Sequence, residues 1–370
     1  MGLSAPRLAG IPSVDRAVRL MKEEIRIFKL DLGGLVVYTE AGNGVYSFTP
    51  IIAALAGADR VFAITRDSRW ATGEQVMNDT LALAEYCGVR DRIIILTEKR
   101  EKEVAQSDIV TNLGWVRPID SRTVGWMKPT AAVPLMFESW EFRGRDVDVP
   151  ACRAKGIPVL GTNERVPEID MFKYSGPLAL RLLAEAGLEL IGNKMVVVGG
   201  GVFGLNIMRC LSRIGAQVLA ACPETAPVVK KWGGRKIGND LRGKGARRAI
   251  ANSDALVVTH YPDPVPAVGR EGQITAAELA RLAPGIAVVQ FFGPVDRPDV
   301  EAAGLPLVPA HDPGGDHMGV TMGELGPMQV IRLNAASLRV AEFAARARLG
   351  GLDREAAEKV ALKSSPAMPL

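Results

Sequence analysis

The stretch KMVVVGGGVFGLNIM, residues 194–208, constrains the fold of this chain more than any other. Four apolar residues of strand type, Met195 to Val198, run directly into three glycines and then into a helical pattern that reaches Ile214. Gly199, Gly201 and Gly204 fit the spacing G-x-G-x-x-G. In that arrangement the first glycine turns the chain, the second lets a pyrophosphate approach the backbone, and the third lets helix and strand pack closely. Val202 and Phe203 fill the intervening positions, and the strand QVLAAC follows where a β-α-β unit requires it. A dinucleotide site is expected here, on a parallel sheet with helices on both faces.

The same fingerprint expects Asp or Glu at the end of the second strand, about 20 residues on, to accept hydrogen bonds from the adenosine ribose. That position holds Cys222, followed by Pro223, Glu224 and Thr225. Loss of the carboxylate removes the repulsion against a 2′-phosphate, and Lys230, Lys231, Arg235 and Lys236 lie just downstream to neutralise one. NADP is the expected cofactor on this reading. On the other, the cofactor is NAD, Glu224 takes the ribose, and the basic run is a solvated surface.

The rest of the chain repeats the scheme. Residues 13–29 read as an amphipathic helix capped by Ser13, with Val14, Val18, Met21, Ile25 and Phe28 on one face. The strands LVVYTE, RVFAIT, RIIILT, DIVTN, AAVPLM and IPVLGTN alternate with helical segments up to residue 163, so the first half is a doubly wound sheet in its own right. Residues 167–187 read as a connecting helix interrupted at Gly176 and Pro177. Beyond QVLAAC come the strands ALVVTHY, AVVQFFG and PLVPAH, and the last clear element is a helix over 325–348. The tail KSSPAMPL reads as frayed. The expected fold is α/β, two doubly wound parallel-sheet, Rossmann-like domains with a cleft between them. Residues 1–165 plus 325–370 form the flavodoxin-like substrate domain and residues 166–324 the dinucleotide-binding domain.

At 370 residues, 48% hydrophobic and 23% charged, the chain has the balance of a globular protein with room for two cores. A net charge of +4 is too small for nucleic acid or a membrane surface to be the main partner. No apolar stretch reaches membrane-spanning length and the N-terminus lacks a secretion signal, so a cytoplasmic protein is expected. Cys87, Cys152, Cys210 and Cys222 show no metal-ligand spacing and read as reduced packing thiols.

Over residues 105–345 the chain resembles the D-isomer-specific 2-hydroxyacid dehydrogenases, which share their architecture with formate dehydrogenases and S-adenosylhomocysteine hydrolases. DVDVPACRAKGIPVLGTN is similar to the segment leading into that family's interdomain crossing, and VVVGGGVFGLNIMRCLSRIGAQVLA to its cofactor fingerprint. SDALVVTHYPDP resembles its fourth-strand loop, which implies that Thr259, His260, Tyr261 and Pro262 line the cofactor ribose. Gln290 and Phe291, in LAPGIAVVQFFGPVD, stand at the place of its fifth strand, and LVPAHDPGGDHMG at its catalytic histidine loop. A homodimer is also implied. Two departures limit the resemblance. The family's substrate-holding arginine after the fifth strand is missing from Gln290-Phe291-Phe292-Gly293, and its glycine-amide loop is replaced by the bulky, charged MFESWEFRGRD. An ordinary small 2-hydroxy acid is therefore not the expected substrate. The hydrolase relatives keep NAD as a permanent redox group with a lysine and histidines, and Lys173 in MFKYSG is the counterpart lysine. A hydrolase or lyase with tightly held NAD is the second reading, and a non-catalytic dinucleotide-binding protein the third.

Ligands of open α/β sheets bind beyond the carboxyl ends of the strands. There the first half places Glu40, Asn43, Tyr46, Asn112, Arg117, Glu138, Trp140, Glu141 and Arg143, and the second half His311, Asp312, Asp316 and His317. The chain has only three histidines, and two of them fall in one glycine-rich loop. His311 follows an apolar strand and is expected to act as general acid or base, with His317 beside Asp316 as the reserve. Arg143 or Arg117 replaces the missing arginine on a substrate carboxylate, and Glu138 or Glu141 binds an amine. As structure, the same charges form a salt-bridged hinge. The expected reaction is hydride transfer between a nicotinamide and a small oxo, hydroxy, imino or amino acid. A second glycine turn, EAGNGVYSFTP, is similar to the first motif of S-adenosylmethionine-dependent methyltransferases, although the strand after it ends in Thr65 with Asp67 two residues on. A substrate-lining loop is the other role for it.

Overall fold

Strand order is the same in both halves of the chain. The computed structural model describes residues 5–260, 263–315 and 317–370, and it divides into two units, Met1–Asp170 with Gly326–Leu370, and Met171–Leu325. In the first unit β1 (Val36–Glu40), β2 (Arg60–Ile64), β3 (Ile93–Leu96), β4 (Ile109–Val110), β5 (Val133–Pro134) and β6 (Val159–Thr162) run parallel. β1 pairs with β2 on one side and β4 on the other, and a parallel bridge from Ile109 to Ala132 hands the sheet on to β5 and β6. The order is thus β3-β2-β1-β4-β5-β6. The loops after β1 and β4 leave in opposite directions, which opens a crevice at their carboxyl ends.

Apolar runs explain the core. Val37, Val61 and Ile93 from the strands, Val14, Ala17 and Met21 from the helix Val14–Phe28, and Ile331, Ala335 and Leu338 from the long helix Pro327–Leu349 form one buried cluster. Ser13 caps the first helix, accepting from the Arg16 amide at 3.3 Å. The tail corrects the sequence reading: it is ordered rather than frayed. A helix over Arg354–Ser364, capped by Asp353, leads to a strand Ala367–Met368 paired antiparallel with β6. Ser139 Oγ then donates to the Pro369 carbonyl at 2.6 Å.

In the second unit β7 (Lys194–Val198), β8 (Gln217–Ala221), β9 (Arg235–Gly238), β10 (Ala255–Thr259), β11 (Ala287–Phe292) and β12 (Leu307–Val308) form a parallel sheet in the order β12-β11-β10-β7-β8-β9. Its switch point lies between β7 and β10, the equivalent of β1 and β4. One apolar cluster covers each face, built around Met195 and Val197 on one side and Val196 and Val198 on the other. Two corrections belong here. Part of the downstream basic run is an edge strand, β9, whose charged residues suit an exposed edge. Gly176 and Pro177 do not interrupt a helix; they lie in the first turn of Ser175–Glu185, where a missing N–H costs nothing. Gly176 is demanded by packing, because a Cβ there would stand 2.4 Å from Cys210 Cβ. Among the described residues no helix is long and apolar enough to cross a membrane.

Candidate functional site

The glycine turn follows β7 and opens the helix Gly201–Arg213. Gly199 has φ +95°, and a Cβ on it would lie 2.3 Å from the Thr259 carbonyl oxygen at the end of β10. Gly204 brings the helix against the turn: its Cβ would stand 2.7 Å from the Gly199 carbonyl oxygen. Gly201, at φ +60°, faces open space, as a position that admits a ligand must. Gly200 has a role outside the fingerprint. Its missing Cβ makes room for the Glu224 carboxylate, which would otherwise be 1.9 Å away.

Glu224 is the acid that the second of the two cofactor readings puts on the ribose. It follows β8 by three residues and reaches back, so that Oε1 accepts from the Gly201 amide at 2.6 Å. Oε2 is buried and has no hydrogen-bond partner among the described residues. The premise for NADP, a missing carboxylate, therefore fails: an acid covers the glycine turn and would repel a 2′-phosphate. Lys236 donates to the Glu224 carbonyl, Arg235 lies on the edge strand, and Lys230 and Lys231 are exposed on a short helix. Cys222 is buried, its thiol pushed up to about 12 by burial and by the nearby Glu224.

Other residues expected at the cofactor turn out to hold the framework. Phe203 packs edge-on to Phe172 and Phe292 at 5.3 and 5.2 Å. Thr259 Oγ1 donates to the Val198 carbonyl at 3.0 Å, tying β10 to β7 at the switch point. Phe291 is fully buried, and Gln290 uses both ends of its amide, donating to the Gly293 carbonyl at 3.1 Å and accepting from Arg297 at 2.9 Å. Arg297 is the arginine that follows the fifth strand, but it too faces inward, donating to the Pro309 and Ala310 carbonyls at 2.9 and 3.0 Å. Tyr261, Pro262 and Asp316 lie outside the described residues.

His260 Nε2 stands 2.9 Å from Gln273 Nε2 and 3.1 Å from Asp263 Oδ2. Gln273 Oε1 accepts from the Leu241 amide, so its nitrogen is the donor and His260 Nε2 the acceptor in the neutral ring. Burial lowers the His260 pKa, against the opposing pull of Asp263. His311 is exposed on the loop after β12, with its imidazole unbonded among the described residues, and His317 is exposed on the same loop.

In the first unit a crevice of about 420 Å³ opens at the β1/β4 switch point. It brings together Glu40, Asn43, Tyr46 and Arg117 of the expected substrate residues, and adds Arg66, Ser68, Trp70 and Trp115. Glu40 ends β1, and burial pushes its carboxyl up to about 7, moderated by Arg117 and by amides of Gly114 and Trp115. Arg117 NH1 donates to Asp146 at 3.0 Å. Asn112 does not line the crevice; it is buried, accepting from the Met136 amide at 2.9 Å, and its Nδ2 has no partner among the described residues.

Glu138, Trp140 and Glu141 form a separate group. Buried Glu138 accepts from the Trp140 indole at 2.7 Å, from the Glu164 amide at 3.2 Å and from Arg165 at 3.2 Å. Glu141 is exposed as a residue, yet protein packed around its carboxyl and the Glu138 charge push it up to about 7, with Arg143 opposing. Burial also raises Glu164 well above the ordinary carboxylate range, aided by both neighbouring glutamates. Glu138 is thus engaged by protein donors, which fits the salt-bridged structural reading of this segment.

No family model matches the sequence, and no curated protein matches it. Solved structures do. A dipicolinate synthase chain from Bacillus halodurans is 12% identical with a TM-score of 0.55, over 82% of this chain and 96% of that one. The corresponding chain of dipicolinate synthase from Bacillus subtilis is 13% identical with a TM-score of 0.55, over 86% and 99%. The NAD-dependent formate dehydrogenase from Staphylococcus aureus, solved in complex with NAD, is 13% identical with a TM-score of 0.51, over 83% and 93%. The likeness is one of fold: this chain is an α/β protein of two Rossmann-like, parallel-sheet units.

Proposed function

We propose that the second unit binds NAD(H) and that the protein is a nicotinamide-dependent oxidoreductase acting on a small oxo, hydroxy, imino or amino acid held by the first unit. The observation that carries this reading is the Oε2 of Glu224, unpartnered among the described residues and buried over a glycine turn whose Gly201 faces open space. A ribose hydroxyl would satisfy that oxygen, and the amides opening the helix Gly201–Arg213 would hold the pyrophosphate. The fold shared with an NAD-bound formate dehydrogenase supports the reading. The nicotinamide supplies the carbon that gives or takes hydride. His311 handles the proton, since its ring nitrogens are uncommitted among the described residues whereas His260 Nε2 is held by Gln273. Arg117 meets the substrate carboxylate, and Glu40, Asn43 and Tyr46 line its pocket.

Calorimetric titration with NADH and NADPH tests the cofactor assignment. NADH is expected to bind more tightly, and Glu224→Ala to weaken it about tenfold while narrowing the preference over NADPH. Failure of either nucleotide to bind protein freed of retained cofactor would reduce the glycines to a turn. His311→Gln is expected to lower turnover while leaving NADH affinity in place.

A further inference from the structure

The crevice of the first unit has chemistry of its own. The loop after β4 can approach Glu40 only through a glycine: a Cβ on Gly114 would lie 2.7 Å from Glu40 Oε1, while one on Gly42 would sit at an ordinary contact distance of 3.4 Å. The carboxyl is thus held at the mouth of the crevice with no ion pair among the described residues. Across the opening, just past β2, Arg66 also makes no ion pair or hydrogen bond through its guanidinium among the described residues. The acid beside it is already committed, because Asp67 Oδ1 accepts from the Gly73 amide at 2.7 Å. The end of β2 therefore presents a free cation where an adenosyl ligand would need a carboxylate for its ribose. Arg117 adds a second guanidinium, bonded to Asp146 through NH1. Aromatic walls complete the site. Tyr46 and Trp70 are 41% and 67% exposed; the Arg69 guanidinium lies 4.4 Å over the Trp70 ring, and two large rings still so open to water fit a surface for another ring.

We propose that this crevice binds an aromatic amino acid as its zwitterion, carboxylate on Arg66 and Arg117, ammonium on Glu40, and ring against Trp70 and Tyr46. With Arg117 already paired to Asp146, an ammonium on Glu40 and a carboxylate on Arg66 give every charge in the crevice a partner, whereas a ligand with one ionic end leaves Glu40 or Arg66 without one. The volume, about 420 Å³, is that of a small-molecule site. The inference gives the substrate class for the pocket assigned above and rests on that assignment for turnover, though not for binding.

Calorimetry with L-phenylalanine, 3-phenylpropionate and 2-phenylethylamine tests it on the full chain. Phenylalanine is expected to bind about tenfold more tightly than either one-ended analogue. Glu40→Gln should abolish its advantage over 3-phenylpropionate, and Arg66→Gln its advantage over 2-phenylethylamine. Retained binding of 3-phenylpropionate by Glu40→Gln and of 2-phenylethylamine by Arg66→Gln reports that the first unit of each variant is folded. NADH binding with no phenylalanine binding overturns this inference and leaves the oxidoreductase reading intact; phenylalanine binding without NADH does the reverse. Equal affinity of the wild-type protein for phenylalanine and 3-phenylpropionate removes Glu40 as the amine partner and overturns the zwitterion assignment.

Discussion

Single residues carry two consequences that can be measured directly. Burial raises the Glu40 carboxyl from 4.5 to about 7, so the folded chain keeps a proton that the unfolded chain has released between those values. Its contribution to stability falls as the pH rises through that window and stays low above it. Glu40→Gln keeps an acceptor for the Gly114 and Trp115 amides and removes the charge. It should match the wild type near pH 4.5 and exceed it at pH 8 by an amount on the order of 3 kcal/mol at most, read from urea unfolding at each pH. A difference that does not change with pH would show that the carboxyl is not held in a protonated state. Gly200 offers a steric counterpart. Alanine there must displace the Glu224 carboxylate, since its Cβ would fall 1.9 Å from Oε2. NADH affinity should drop about tenfold in Gly200→Ala and fall no further when Glu224→Ala is added, because the first change has already displaced the carboxylate. Additive losses in the double variant would mean that the two positions act separately.

Among elements, legibility followed local pattern. The β7-turn-helix unit was readable because strand period, glycine spacing and helix onset all lie within a few neighbouring residues. Glu40, Asn43, Tyr46 and Arg117 were readable as crevice residues because they follow strand ends. Glu224 was legible only as the second of two readings, because it stands beyond the expected position and acts by folding back, which no spacing rule encodes. Arg66 and Trp70 sit in a loop with no periodicity, and only the strand order brings them beside Glu40. Asn112 misled in the opposite sense: a polar residue past a strand end is a site candidate in sequence, whereas here it staples the backbone at Met136. The last strand, Ala367–Met368, is too short to show alternation, and its place is set by β6. Deleting residues 365–370 removes that pairing and the Ser139 bond to Pro369, and bares the β6 edge. A loss of about 2 kcal/mol in urea unfolding is expected, with faster aggregation by light scattering. An unchanged midpoint would show that the strand adds nothing.

At the scale of the whole molecule, one strand order is used twice for different chemistry. Each unit places its glycine-bearing turn after the strand at its own switch point, β7 in one and β1 in the other. After β7 an acid lies over the turn and leaves an acceptor free, which suits a ribose; after β1 the acid is the last strand residue itself and the neighbouring strand end offers a cation. Each unit also encloses its own apolar clusters, with the helix Pro327–Leu349 completing the first and the helix Ser175–Glu185 the second. Separate cores imply separate unfolding units, so the chain should not melt as a single two-state system. Scanning calorimetry is expected to resolve two transitions. NADH at about 100 times its Kd should stabilise the second unit by about 2.7 kcal/mol and raise one transition by roughly 5–10 °C. Deletion of residues 365–370 should lower the other and leave the NADH-sensitive transition in place. A single transition that NADH and the deletion both move would mean that the two cores unfold as one, and the division of the chain into independently stable units would fall.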